Sequence, residues 1–163
     1  MFDKFGEFDS WEEINQAAEG QKAEGDKKAL IDLAKENGID KEDAEDYFDG
    51  VIPELCTPLI AAMGKLKAEE DALKPKDIMK DWVSYIRTLC SEDENMQLAI
   101  RRKGKSVKGC IAALLKYSFS HQQDVDKGII KEAGVKAGKV TLGIPRMGTA
   151  HKLIREYYTE EQK

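Results

Sequence analysis

The chain has 163 residues, of which 41% are hydrophobic and 35% charged, and it carries a formal net charge of −5. That length suits one compact domain or two small ones, and the apolar share supports a core. No apolar run of about 18 residues exists, so no transmembrane helix is expected, and MFDKFGEFDS lacks the basic and apolar regions of a secretory signal.

Phe2, Phe5 and Phe8, at spacing three, read as docking anchors ahead of the first helix. Ser10 is a good N-cap, and Glu13 three residues later completes a capping box. The first helix is expected to run to about Lys22 with Trp11, Ile14, Ala17 and Ala18 on one stripe. Gly25-Asp26 breaks the pattern, and a second helix follows over Lys27 to Glu36, stopped by Asn37-Gly38. Asp40 caps a third, Lys41 to Phe48. This segment is unusually acidic, with Asp43, Glu45, Asp46 and Asp49 forming a carboxylate row. Such a row is either a solvated face or a surface shaped to occupy a partner's phosphate-binding groove. An EF-hand is excluded, because the frame from Asp40 lacks the required Gly and ends at Val51.

Ile52-Pro53 is read as the start of the next helix, with Leu55, Cys56, Leu59, Ile60, Ala62 and Met63 on its apolar face. Lys74-Pro75 is the expected boundary between two modules, because the residue before proline disfavours helix. A helix from about Lys76 to Leu89 carries Trp82 and Tyr85 on an aliphatic stripe, as core rather than as a base-stacking platform. A short helix through Met96, Leu98 and Ile100 leads to a basic knot of Arg101, Arg102, Lys103, Lys105 and Lys108. Ser106 is the expected N-cap of a helix through Phe119 that buries Val107, Cys110, Ile111, Leu114, Leu115 and Phe119. An amphipathic piece near Val125 to Ala133 precedes a glycine-marked segment in which residues 139–142 alternate as one short strand. The last helix is expected over Thr149 to Tyr158. The fold class is therefore mainly α: a compact bundle of seven or eight short helices with at most one small β element near residues 139–144.

The charge is divided unevenly. Residues 1–74 hold 20 acidic and 9 basic side chains, and residues 75–163 hold 11 and 17. The split suits two modules with different partners, or two halves that attract each other.

Little enzymatic chemistry can be put together from these residues. AIRRKGKS, residues 99–106, fits a loose phosphate-loop pattern, but a helix precedes it and its interior is crowded with side chains rather than glycine. His121 and His151 lie thirty residues apart, away from any Cys or carboxylate cluster at metal-ligand spacing. Cys56, Cys90 and Cys110 sit among apolar neighbours, where thiols are inert and reduced, as expected of a cytoplasmic protein. No catalytic residue, cofactor or metal is expected. The basic knot reads either as a solvated loop that neutralises the acidic half or as a contact for phosphates or an acidic protein surface. In the second case exposed N–H groups at Ser106 would add to the anion site.

The run KGKSVKGCIAALLKYSF, followed by GIPRMGTAHKLIREYYTEE, resembles the PcfK-like family of conjugative elements and phages, which includes inhibitors of type II CRISPR effector nucleases. The matching features are a Lys-rich turn opening a helix with Gly109-Cys110, a glycine-containing connector, and a closing helix with Ala150 and Tyr157-Tyr158. The resemblance covers roughly residues 76–163. LAKENGIDKEDAEDYFDG looks like an added helical module of relatives on mobile elements. The resemblance implies an acidic module over 1–74, a PcfK-like module over 75–163, and a non-enzymatic anti-CRISPR protein in the bacterial cytoplasm. Its expected partner is a type II effector nuclease with its guide RNA. The expected contacts are Asp43, Glu45, Asp46, Asp49, Arg101, Arg102, Lys103, Lys105 and Lys108. The alternative is a nucleic-acid-binding accessory protein of a conjugative element or phage.

Overall fold

A computed structural model describes residues 2–160. The architecture is mostly helical with one two-stranded antiparallel ribbon. Ser10 caps α1 (Trp11–Ala23), its Oγ accepting from the Glu13 N–H at 3.3 Å. Glu13 reaches back to the Asp9 N–H at 2.7 Å, one residue before the cap. Helices α2 (Lys27–Glu36) and α3 (Lys41–Phe48) have the bounds expected from their caps. With α1 they enclose a first apolar cluster of Ile14, Leu30, Leu33, Ala44 and Tyr47, against which Phe5 and Phe8 pack.

Helix α4 is Pro58–Leu73, so the expected start at Ile52-Pro53 is five residues early. The reason is a long-range clamp: Asn15 of α1 donates to the Cys56 carbonyl at 2.8 Å and accepts from the Cys56 N–H at 3.0 Å. The clamp spends the backbone groups of Cys56 on α1 and leaves Thr57 as the N-cap, with Pro58 in the first turn. Leu55 and Cys56 are buried in the first cluster.

The second cluster is built by α5 (Ile78–Glu92), α6 (Glu94–Arg101), α7 (Val107–Ser120) and α9 (Met147–Thr159), with Val83, Ile86, Leu89, Ile100, Leu114 and Ile154 at its centre. Helix α4 contributes Ala61 to the first cluster and Ala62 and Leu66 to the second. The two apolar clusters therefore meet within α4, upstream of Lys74-Pro75. Their closest approach uses glycine: Gly38 has a φ of +66°, and a Cβ on Gly64 would lie 2.2 Å from the Asn37 carbonyl oxygen. The α2–α3 turn thus lies directly on the α4 backbone.

Between α7 and α9 the chain makes an excursion. Strand β1 (Gln123–Asp124) pairs with β2 (Thr141–Leu142), with Gln123 opposite Leu142. Helix α8 (Lys127–Glu132) lies between the strands and buries none of its residues. The sequence reading anticipated one strand; the ribbon supplies its partner. In α7, Val107, Cys110 and Leu114 are buried as expected, but Leu115 is 55% and Phe119 74% exposed. The end of the ribbon lies against the C-terminal half of α7, where a Cβ on Gly143 would lie 2.1 Å from the Ser118 carbonyl oxygen.

Candidate partner-binding surfaces

Helix α3 buries Ala44 and Tyr47, which fixes which carboxylates face outward. Helical spacing places Glu45, Asp46 and Asp49 together on the opposite face and Asp43 at the margin of the buried stripe. Asp46 and Asp49 are exposed, while Asp43 and Glu45 are half-buried. Two of the four have cationic neighbours on their own chain: Glu45 pairs with Lys41 at 3.1 Å and Asp49 with Lys27 at 3.3 Å. Exposed pairs of this kind contribute little to stability, so both carboxylates stay available to a stronger partner. Asp43 instead lines a small cleft with Gly64, Lys67 and Arg87.

The basic knot is not a single cationic surface. Arg101 is 1% exposed and Lys105 6% exposed, which removes both from the set of surface contacts. One Arg101 guanidinium nitrogen, Nη2, donates to Asn37 Oδ1 at 3.0 Å, and the guanidinium lies 5.6 Å from the Phe2 ring centre. Its Nε and Nη1 have no hydrogen-bond partner among the described residues. Burial holds this guanidinium below its usual pKa, opposed by the carboxylates of Glu7, Glu69 and Glu13. Lys105 Nζ donates to the carbonyls of Tyr157 and Glu160 at 2.6 and 2.7 Å, at the C-terminal end of α9 where a cation is favoured. Arg102, Lys103 and Lys108 are exposed. The Lys103 N–H is held by Asp9 at 2.8 Å.

A lysine and a glutamate that the sequence reading passed over complete this junction. Lys65 of α4 is fully buried; its ammonium donates to Glu7 at 2.7 Å and to the Arg102 carbonyl at 2.8 Å. Burial lowers its pKa, and the hydrogen bond to Glu7 opposes that shift. Glu69, one turn further along α4, accepts the Val107 N–H at 2.7 Å. Burial raises its carboxyl above the ordinary range, and the Val107 bond opposes the rise. Glu69 therefore occupies the anion position at the start of α7. Of the neighbouring N–H groups, that of Gly109 is taken by Ser106 Oγ at 3.0 Å and that of Ser106 by the Tyr157 hydroxyl at 3.0 Å. The helix start expected to receive an external phosphate is filled by the chain's own groups. The only sequence signal for this was the helical spacing of Lys65 and Glu69 on an otherwise apolar face.

The same contacts give the Gly109-Cys110 and Tyr157-Tyr158 pairs a physical reason. A Cβ on Gly109 would lie 2.2 Å from the Tyr157 hydroxyl, so glycine admits that ring to Ser106. Cys110 and Tyr158 are fully buried side by side in the second cluster. Burial pushes the thiols of Cys56 and Cys110 up to about 12 and that of Cys90 to about 11. Both histidines are stacked on tyrosines: His151 on Tyr85 at 3.5 Å and His121 on Tyr117 at 3.8 Å between ring centres. Among the described residues, no group of three or more His, Cys, Asp or Glu is placed to hold a metal ion. No helix is long and apolar enough to cross a membrane. No family model, curated protein or solved structure matches the chain.

Proposed function

We propose that the protein is a non-enzymatic inhibitor of a type II CRISPR effector nuclease, acting by occupying a surface that the nuclease uses for nucleic acid. The target comes from the resemblance of residues 76–163 to the PcfK-like family. The observation that carries the physical side is the outward face of α3, where Glu45, Asp46 and Asp49 stand together opposite the buried Ala44 and Tyr47. Such effectors hold nucleic acid in cationic channels and read their adjacent motif with arginines, so a rigid carboxylate face competes for those cations. Arg102, Lys103 and Lys108 supply the complementary contact to guide RNA or to an acidic patch of the nuclease. Charge complementarity of this kind mainly sets encounter rate and orientation.

The test is capture of guide-loaded and empty type II effectors by the purified protein, beside a DNA-cleavage assay. The expected result is a stable complex, loss of cleavage, and weakening of both by Asp46→Lys with Asp49→Lys. A panel of effectors that neither bind nor lose activity refutes the reading. Equal potency of the charge-reversed variant refutes the role given to α3.

A further inference from the structure

Residues 121–146 are the least buried part of the molecule. Within them only Pro145 is buried, and α8 contributes nothing to either apolar cluster. The segment is nevertheless regular: a ribbon of paired backbone, the Val125 N–H on the Val140 carbonyl at 2.9 Å, and a capped α8. An isolated two-stranded ribbon is marginal in water, so this arm draws its order from its seat on α7 and leaves its outer surface for something else.

That surface has two properties. It is cationic: residues 121–146 hold five basic and three acidic side chains. Lys127, Lys131, Lys136, Lys139 and Arg146 are all exposed, and among the described residues only Lys139 has an acidic partner of its own, Asp124 at 3.0 Å. It is also rich in exposed rings and aliphatic groups. Phe119 is 74% exposed, and Leu142 and Ile144, both about 60% exposed, line a cleft of about 780 Å³ with Tyr117, His121 and Arg146. The cleft has no carboxylate in its lining, and its one stacked ring pair is His121 on Tyr117.

We propose that this arm and the adjoining end of α7 form a binding surface for single-stranded nucleic acid. Phosphates would be followed by Lys136, Lys139 and Arg146, and bases would rest on the His121–Tyr117 pair in the cleft. Cations spread along an exposed ribbon match a line of phosphates, and flat rings beside them match unstacked bases; together these are the two components of single-strand binding. A second copy of the chain is a poor occupant in the symmetric sense, because it would bring two cationic arms together. An acidic protein surface would meet the charge but has no use for the stacked rings. The inference is independent of the nuclease-inhibitor reading and adds a single-strand contact at the arm to the one proposed for Arg102, Lys103 and Lys108.

The experiment is fluorescence anisotropy of the full chain with labelled oligo-dT and oligo-rU of about 20 nucleotides, from about 50 mM to about 300 mM salt. A duplex and poly-L-glutamate serve as competitors. Binding that weakens steeply with salt is expected. Lys136→Ser, Lys139→Ser and Arg146→Ser together should reduce affinity at least about tenfold and lower the salt slope by about two, at roughly 0.7 per phosphate lost. His121→Ala should cost about fivefold or more, as loss of one stacked base does. Lys28→Ser, Lys76→Ser and Lys80→Ser together, at exposed positions outside the arm, should stay within about twofold of the parent. All these positions are exposed, so melting curves should be unchanged. No binding at the lowest salt, or an arm variant that binds like the parent, overturns the proposal. Equal competition by poly-L-glutamate assigns the surface to an acidic protein instead. A dimer in sedimentation that Phe119→Ala abolishes and oligonucleotide does not assigns it to a second copy.

Discussion

Arg101 separates a structural cation from a surface one, and the comparison with its neighbour Arg102 is the sharpest test of the junction between the two clusters. Arg101→Ala removes the hydrogen bond to Asn37, strands Asn37 Oδ1 in a buried site, and empties the volume of the stem. A hydrogen bond to a charged group contributes about 1.5–3 kcal/mol, and the lost packing adds to that. Release of a desolvated charge offsets part of the loss. The net expectation is a destabilisation of about 2–4 kcal/mol. At about 2–4 °C per kcal/mol for a chain of this size, the melting temperature should fall by roughly 4–16 °C. Arg101→Met keeps most of the volume and removes the charge, so it should cost about 0–2 kcal/mol. Arg102→Ala, at an exposed position, should stay within about 0.5 kcal/mol. The assay is thermal and urea unfolding of the three variants beside the parent. If Arg101→Ala melts within about 2 °C of the parent, or Arg102→Ala falls as far as Arg101→Ala, the placement of Arg101 is wrong.

Gly109→Ala should destabilise by about 1–3 kcal/mol, because the new Cβ displaces the Tyr157 hydroxyl from Ser106. Adding Tyr157→Phe should recover part of that loss, and a double-mutant cycle in urea measures the coupling. The three cysteines, with thiols pushed to about 11 or 12, should not react with a disulfide reagent at mildly alkaline pH until the chain is unfolded, when all three react. Glu69 gives a pH signature. Its folded pKa lies above the ordinary 4.5, so the folded state holds more protons than the unfolded state between those two values. The associated stability is complete below the unfolded pKa and is lost as pH rises through the folded one. Unfolding of Glu69→Gln across that range should lack this decline, and an unchanged pH profile would refute the burial of this carboxyl.

Where local chemistry decides, the fold was legible in the sequence. Asp26, whose side chain accepts the Ala29 N–H at the start of α2, and Asn37-Gly38 at its end set that helix to the residue, because caps and left-handed stops act over a few positions; Asp40 stands at the N-cap of α3 without a side-chain cap bond. The start of α4 at Pro58 rather than Pro53 has a local signal, since Thr57 can cap the helix and Ile52 cannot, and a long-range one, since Asn15, forty-one positions before Cys56, takes both backbone groups of Cys56. Leu115 and Phe119 are spaced as a core stripe would be, but they continue the line of Lys108 and Ala112, both exposed, and not that of the buried Val107, Cys110 and Leu114. The acidic row was legible as a face, with Asp43 turned to its margin by the burial of Tyr47. For the basic knot, composition could not tell which cations meet water, because a buried Arg and an exposed one look alike until the partners at Asn37 and Tyr157 are in place.

The charge split between the two halves follows from the same contacts. An excess of 20 acidic over 9 basic residues ahead of Pro75, and the reverse beyond it, invites the idea of two halves held together by attraction. Most of the contacts that join them are of another kind, beside one half-buried ion pair of Arg87 with Glu70 at 2.6 Å. Glu7 reaches Lys65, a lysine of its own half, and that lysine in turn caps the carbonyl of Arg102. Arg101 crosses to an uncharged acceptor, Asn37, and Asp9 takes a backbone N–H from Lys103 rather than its ammonium. Buried charges are thus used to satisfy backbone and amide groups at the junction, where their directionality fixes the register of α6 on α2 and α4. The half-buried pair of Arg87 with Glu70 supplies direct attraction between the halves, and exposed pairs such as Lys27–Asp49 lie within one half and add little. The acidic face of α3 and the cationic arm at 121–146 are therefore largely unspent on each other, and that leaves two charged surfaces of opposite sign for partners outside the chain.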